Sequence, residues 1–105
     1  MLNAPATTQK QTVAAGVTTR LGCSPTSTTH QIKIGAGTAT SGTVTLTALS
    51  AGDSTGEAVY YNGSAIVFDA AVSASQTFVI DGVFDAFVLT PTALNGTYTY
   101  IYSEW

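Results

Sequence analysis

The chain has 105 residues, of which only 9% are charged, and a formal net charge of −3 at pH 7. This length suits one domain with a modest core, and no apolar run approaches the ~20 residues of a membrane span. The basic residues are only Lys10, Arg20 and Lys33, which are too few for the phosphate contacts of nucleic-acid binding.

Residues 1–29 are rich in Thr, Ala, Gln and Ser, and their larger apolar side chains are few: Leu2, Val13, Val17 and Leu21. The first residues lack the charged and apolar regions of a signal peptide. Ordering some 25 such residues costs roughly 25–50 kcal/mol of backbone entropy, which so few apolar groups do not offset. The composition therefore predicts an extended N-terminal arm, ordered by neighbouring chains, and a separate domain at 30–105. A strand within 13–21 is the alternative.

Two short runs after the arm alternate apolar and polar residues with the period of a β-strand. In the run 30–34, Ile32 and Ile34 share one face, and in the run 43–48, Val44 and Leu46 share one face. Both runs are therefore predicted to be strands that are buried on one side.

Two pairs of strand-like runs flank the dipeptides Asn62-Gly63 and Asp81-Gly82. Both positions of a type I′ turn need positive φ, which Asn, Asp and Gly tolerate. The sequence therefore predicts two hairpins, with turns at these dipeptides.

The C-terminal run 97–105 alternates strictly, so that Tyr98, Tyr100 and Tyr102 point one way and Trp105 the other. A row of tyrosines is either the core face of a strand or a platform for a sugar or a protein. With the arm included, the candidate protein-interface residues are Leu2, Val13, Val17, Leu21, Tyr98, Tyr100, Tyr102 and Trp105.

Few residues in the chain have the chemistry of a catalytic or metal site. The single Cys23 and the single His30 lie seven residues apart, with no third group beside them in the sequence. Asp69 and Asp85 occupy matching places in two similar segments, where turn capping or solvent exposure is favoured over an acid pair. We therefore expect no catalytic residue, no cofactor, no bound metal and no small-molecule substrate.

Six to eight short strands, separated by turns every eight to twelve residues, predict an all-β fold with a single antiparallel β-sandwich. Residues 94–100, which lead into Tyr98, resemble the tyrosine corner of immunoglobulin-like sandwiches. No Cys follows, however, and the chain ends with that strand. An Ig-like or a jelly-roll-like sandwich fits these features.

Over a longer span, the Thr-rich arm, the run 43–47, the segment 83–98 and the aromatic end resemble the small Thr/Ala-rich all-β virion proteins of tailed bacteriophages. The resemblance implies a structural protein that decorates and stabilises a capsid from outside. Its partners would be the major capsid protein and copies of itself, possibly as a trimer. A tail, fibre or baseplate module that binds carbohydrate or another virion protein is the alternative.

Overall fold

A computed structural model of the chain describes residues 7–14, 16–50, 56–61, 63–72 and 74–105. Within these residues there are eleven strands and one short 3₁₀ turn at Ala70–Val72. The strands are β1 (Thr7–Val13), β2 (Thr19–Gly22), β3 (Thr29–Ala36), β4 (Thr43–Leu49), β5 (Glu57–Ala58), β6 (Tyr60–Tyr61), β7 (Ser64–Ala65), β8 (Val67–Asp69), β9 (Gln76–Asp81), β10 (Ala86–Thr92) and β11 (Tyr98–Glu104). None of the elements described is a helix long and apolar enough to cross a membrane.

The strands form two main antiparallel sheets. Sheet A has four strands in the order β1-β11-β3-β9, and sheet B has the order β2-β10-β4-β5, with β8 also paired to β4. Strands β6 and β7 pair only with each other and form a separate two-stranded sheet. The prediction of an all-β, sandwich-like fold is confirmed. The strands outnumber the predicted six to eight because the runs 57–61 and 64–68 are each divided into two short strands, and because residues 7–22 contribute β1 and β2.

The core lies between the inner faces of the two sheets. On β3 and β4 the alternation is as predicted, since Ile32, Ile34, Val44 and Leu46 are buried. Phe87 and Leu89 of β10 are also fully buried. Because the side chains of a strand point alternately to its two faces, the period of the sequence sets which residues enter this core.

The N-terminal segment belongs to both sheets, which corrects the predicted boundary between an arm at 1–29 and a domain at 30–105. Strand β1 pairs along its length with β11, from Thr7 opposite Glu104 to Val13 opposite Tyr98. Strand β2 pairs with β10. These pairings supply backbone hydrogen bonds and neighbours that composition alone does not reveal, so 7–13 and 19–22 are ordered within their own domain.

One of the two predicted turns is a hairpin and the other is not. Tyr61 pairs with Ser64, which confirms this predicted hairpin, and Gly63 has a φ of 81°, whereas Asn62 lies outside the described residues. Gly82 also has a positive φ, of 133°. The strands on either side of Asp81-Gly82, however, pair in different sheets. The prediction of a hairpin there is wrong, because four residues separate β9 from β10, and this is enough chain to cross the ~10 Å between packed sheets.

Candidate functional site

The tyrosine row of β11 lies on the inner face of sheet A. Tyr98 and Tyr102 are fully buried, and Tyr100 is 3% exposed. Of the two interpretations, the structure therefore favours the core face over a binding platform. Their assignment to a protein interface is corrected, because side chains packed between the two sheets of their own domain do not reach a partner.

The other predicted interface residues divide by exposure. Val13 and Leu21 are buried in the core, opposite Tyr98 and Phe87 in register, so they too are removed from the interface. Val17 is 46% exposed and Trp105 is half-buried, and their assignment to an interface stays a prediction. Leu2 lies outside the described residues.

The hydroxyl of Tyr102 is the centre of a cluster of titratable side chains. Its oxygen lies 2.8 Å from His30 Nδ1, 2.9 Å from Glu104 Oε2 and 3.2 Å from Cys23 Sγ. We call Cys23, His30, Tyr102 and Glu104 the hub. His30, Tyr102 and Glu104 are at most 2% exposed, whereas Cys23 is only partly buried, so the hub approaches solvent at its thiol.

The imidazole of His30 is fixed by one hydrogen bond and two aromatic rings. Its Nε2 lies 2.9 Å from the carbonyl oxygen of Gly82, which can only accept, so Nε2 carries a proton and donates it. The rings of Phe84 and Phe87 meet it edge-on, with centroids 5.6 and 5.1 Å away. The crossover turn at Gly82 therefore sets which nitrogen faces the hydroxyl of Tyr102, namely Nδ1.

The carboxyl of Glu104 is held from the other side by the N-terminal segment. The backbone N–H of Ser24 donates to both of its oxygens, at 3.1 and 3.0 Å. Glu104, Tyr102 and His30 can all make their hydrogen bonds when they share one further proton, besides the proton of the hydroxyl and the Nε2–H of His30. Either His30 is an imidazolium and Glu104 a carboxylate, or both are neutral; the two arrangements differ by a concerted shift along the same hydrogen bonds.

The chemistry of the hub opposes nucleophilic catalysis. Burial raises the pKa of the Cys23 thiol, which disfavours the thiolate that would act as nucleophile. Burial, and then the hydrogen bonds to Cys23 and Glu104, likewise raise the pKa of Tyr102. The hydroxyl of Tyr102, moreover, contacts both Sγ and Nδ1, so His30 has no exclusive contact with the thiol as a general base needs.

The sequence missed this cluster because its members are far apart along the chain. In the sequence, no third ionisable group lies beside Cys23 and His30, whereas in the structure Glu104 lies close to both. One signal was present: Glu104 follows Tyr102 by two residues in a strictly alternating strand, so it occupies an inner position. An acid on a buried face requires a partner.

The two aspartates weighed as an acid pair have separate structural roles, as predicted. Asp69 accepts a hydrogen bond from the backbone N–H of Ala71 at 2.9 Å, which caps the 3₁₀ turn. Asp85 forms an exposed ion pair with Arg20 at 2.9 Å. No acid pair of the kind used in glycoside hydrolysis is therefore built from them.

A groove of about 370 Å³ lies on the outer face of sheet A. Its floor is Gly35, where an added Cβ would lie 2.7 Å from Ser75 Oγ and 3.2 Å from Thr99 Oγ1. The rest of its lining is Thr12, Lys33, Tyr100 and Ile101. The groove thus offers one ammonium group and several hydroxyls, with the volume of a small-molecule site.

Comparison with known proteins identifies the fold and no family. No family model matches the sequence, and no curated protein matches it. The crystal structure of SPBc2 prophage-derived protein YomS is similar, with a TM-score of 0.60 and 13% identity over 99% of this chain and 96% of that one. A subunit of Bacillus endospore appendages, described as a novel family of disulfide-linked pili, has a TM-score of 0.52 and 18% identity over 98% and 89%. At these identities the chain is similar to both in fold alone.

Proposed function

We propose that this protein is a structural subunit of a phage particle, and that it decorates and stabilises the capsid from outside, in contact with the major capsid protein and with copies of itself. The observation that carries the proposal is the pair of long open edges of sheet A, together with a fold shared over almost its full length with a prophage-derived protein. The second similar structure belongs to a family of disulfide-linked pili, which supports a structural role.

The edges of the two sheets differ in length. Sheet A ends in β1, of seven residues, and in β9, of six. Sheet B ends in β2, of four residues, and on the other side in β5 and β8, of two and three. Short edge strands protect a sheet against pairing with another chain, whereas long ones present a row of free backbone groups. Sheet A is therefore the side that is suited to strand pairing with a neighbour.

The strand directions suit a head-to-tail contact. All pairs in sheet A are antiparallel, so β1 and β9, three strands apart, run in opposite directions. A second copy that continues the sheet would place its β1 against β9 in antiparallel orientation.

Not every feature of the pilus comparison carries over. The lone Cys23 donates or accepts within the hub, and burial raises the pKa of its thiol. Both properties slow disulfide formation with another chain. We therefore propose contact through backbone pairing and packing, with no reaction catalysed.

The location on a particle is tested by immunogold labelling. Antibodies raised against the recombinant chain are applied to phage particles purified from the strain that carries the gene. Label over the outer surface of the heads supports a decoration protein. Label confined to tails supports the second candidate below, and particles free of the chain by both labelling and mass spectrometry refute a virion role.

The edge contact is tested by a charge on β9. Val79 is 47% exposed on this strand, and Val79→Lys leaves the inner face intact while it places a charged side chain on the edge strand that a second copy would cover. Val72→Lys is the matched control, since Val72 is 60% exposed in the 3₁₀ turn, outside sheet A. Light scattering should find assemblies of the wild type and of the control but a monomer of Val79→Lys. Equal assembly of all three contradicts the edge contact.

The groove on sheet A favours a second candidate, a tail or fibre module that binds carbohydrate. Lys33 and the hydroxyls of Ser75 and Thr99 are groups that bind an acidic sugar. Titration of the protein with uronic-acid oligosaccharides, with Lys33→Met as the control variant, separates this candidate from the first.

A further inference from the structure

We propose that the hub is a binding site for a divalent transition-metal ion of the zinc type, with Cys23, His30 and Glu104 as ligands and the hydroxyl of Tyr102 as the fourth. Such a site would lie inside the domain and would serve its stability. It is independent of the edge contact proposed above.

The donor atoms are of the right kind and separation. A thiol sulfur, an imidazole nitrogen and a carboxylate oxygen are the three ligand types that zinc takes from proteins. Here these atoms all lie within 4.8 Å of one another, and His30 Nδ1 and Glu104 Oε2 are 3.9 Å apart. In a tetrahedral zinc shell the ligands are about 3.3–3.6 Å apart, given bonds of about 2.0–2.3 Å. Donors separated by the full 4.8 Å would therefore need to approach one another by about 1.2–1.5 Å, and closer pairs by less.

The hydroxyl of Tyr102 completes the set. Its distances of 2.8–3.2 Å to the three donors are slightly shorter than a tetrahedral edge. A small movement of the phenol ring away from the other three donors therefore brings its oxygen to the fourth ligand position of the tetrahedron. The four residues come from the segment after β2, from β3 and from β11, so an ion there would join the N-terminal segment to sheet A.

The surroundings already resemble the outer shell of a metal site. A metal-bound histidine usually donates its other ring N–H to a carbonyl or a carboxylate, and His30 donates Nε2–H to the carbonyl of Gly82. Bound carboxylates are also held by hydrogen bonds, and Glu104 accepts from the N–H of Ser24. Phe84 and Phe87 form an apolar wall beside the imidazole.

The charges balance when an ion binds. The thiol of Cys23 releases its proton to water, because the thiolate is the ligand. The proton shared by His30 and Glu104 also leaves, which frees Nδ1 and leaves a carboxylate. One thiolate and one carboxylate then neutralise a divalent cation, so that the buried site carries no net charge. The partly exposed Cys23 provides the entrance.

The test is a cobalt titration of the untagged protein, since the chain has one Cys and one His and each signal is unambiguous. One equivalent of Co²⁺ should produce the near-ultraviolet charge-transfer band of a cobalt thiolate, and Zn²⁺ should remove it. Cys23→Ser should lose the band while it keeps the wild-type fold, because a serine hydroxyl fills nearly the same space. Glu57→Gln is the control, since Glu57 is exposed on β5, and it should behave as the wild type.

A second measurement follows the protein without cobalt. One equivalent of Zn²⁺ should raise the melting temperature and shift the Nδ1 resonance of His30, whereas Mg²⁺, which prefers six oxygen ligands, should do neither. The proposal is overturned if folded wild-type protein gives no thiolate band. It is equally overturned if the band persists in Cys23→Ser, or if His30 Nδ1 is unaffected by Zn²⁺.

Discussion

Tyr98 and Tyr102 lie at opposite ends of β11, and both use a buried hydroxyl to hold the N-terminal segment. The hydroxyl of Tyr98 donates to the carbonyl of Val17 at 3.1 Å and lies 3.0 Å from Thr19 Oγ1. The hydroxyl of Tyr102 contacts His30, Glu104 and Cys23. Two side chains of the same type, on the same face of the same strand, thus make equivalent connections with different chemistry.

The difference lies in what remains when the hydroxyl is removed. Thr19 and Val17 are neutral and partly or largely exposed, so water can replace the phenol. His30 and Glu104 are buried and ionisable, and among the described residues no buried side-chain N or O atom lacks a hydrogen-bond partner. A buried group that loses its partner bears the full desolvation penalty. The energetic importance of a tyrosine here follows from its partners.

Deleting residues 1–24 breaks both connections at once and should have the largest effect. The deletion removes β1, β2, Cys23 and the N–H of Ser24 that orients Glu104. It exposes one edge of each sheet and leaves part of the hub without partners. We expect a chain that does not fold cooperatively, as judged by circular dichroism during heating. A soluble fragment with a sharp melting transition would restore the original expectation of a separate arm.

Tyr102→Phe removes the hydroxyl of the hub and keeps the ring. We expect the free energy of unfolding to fall by about 2–4 kcal/mol, because Nδ1 of His30 and Oε2 of Glu104 both lose the hydroxyl as a buried partner. Urea unfolding followed through the fluorescence of Trp105, the one tryptophan, measures this. A loss below about 1 kcal/mol would mean that water enters the hub and substitutes for the hydroxyl.

Alkaline pH should weaken the fold through the hub, in addition to the effect of Tyr98 and Tyr100, whose pKa values burial also raises. Burial raises the pKa of Cys23 and of Tyr102 in the folded state, whereas unfolded Cys and Tyr titrate near 8.5 and 10. Above those values the unfolded chain has released protons that the folded one retains. The stability is therefore complete below about pH 8.5 and falls as the pH rises, by about 1.4 kcal/mol per pH unit for each group. Urea midpoints from pH 7 to 11 test this, and Tyr102→Phe should lower the slope above pH 10.

Tyr98→Phe is the counterpart at the other end of β11 and should cost about 1 kcal/mol, the usual net value of a neutral hydrogen bond. Tyr98 and Tyr102 share no described partner, so the double variant should be additive within about 0.5 kcal/mol. Equal losses for the two single variants would show that the ionisable partners of Tyr102 do not matter. Strong non-additivity would show that the segment detaches as one unit.

Arg20→Ala should have the smallest effect, although it also concerns a link between the N-terminal segment and the rest of the domain. Its ion pair with Asp85 is about half exposed on both sides. Exposed pairs contribute about 0–1 kcal/mol and are screened by salt. The midpoint in urea should shift slightly at low salt and hardly at all at high salt. A loss of unfolding free energy comparable to that of Tyr102→Phe would contradict the view that the burial of an interaction determines how much it contributes to stability.

The sequence by itself determined the local features of the fold. The alternation in β3, β4 and β11 gave their inner faces correctly, and Asn62-Gly63 gave a hairpin turn, because both depend only on neighbouring residues. An alternation with a period of two residues shows which side chains lie on the same face of a strand. The alternation does not show whether that face is a core or a binding surface. Both interpretations of the tyrosine row are therefore compatible with the sequence, and the packing of the two sheets decides between them.

Only the tertiary structure decided which strands pair and which side chains meet. Gly82 has a positive φ, as the predicted turn requires, but Asp81 does not, and the strands on either side enter different sheets. His30 and Tyr102, 72 positions apart, meet because β3 and β11 are neighbours in sheet A. Cys23, 81 positions from Glu104, meets them because it follows β2, which belongs to the sheet that packs against sheet A. Pairing depends on the free energy of the whole arrangement, which no local window of the sequence contains.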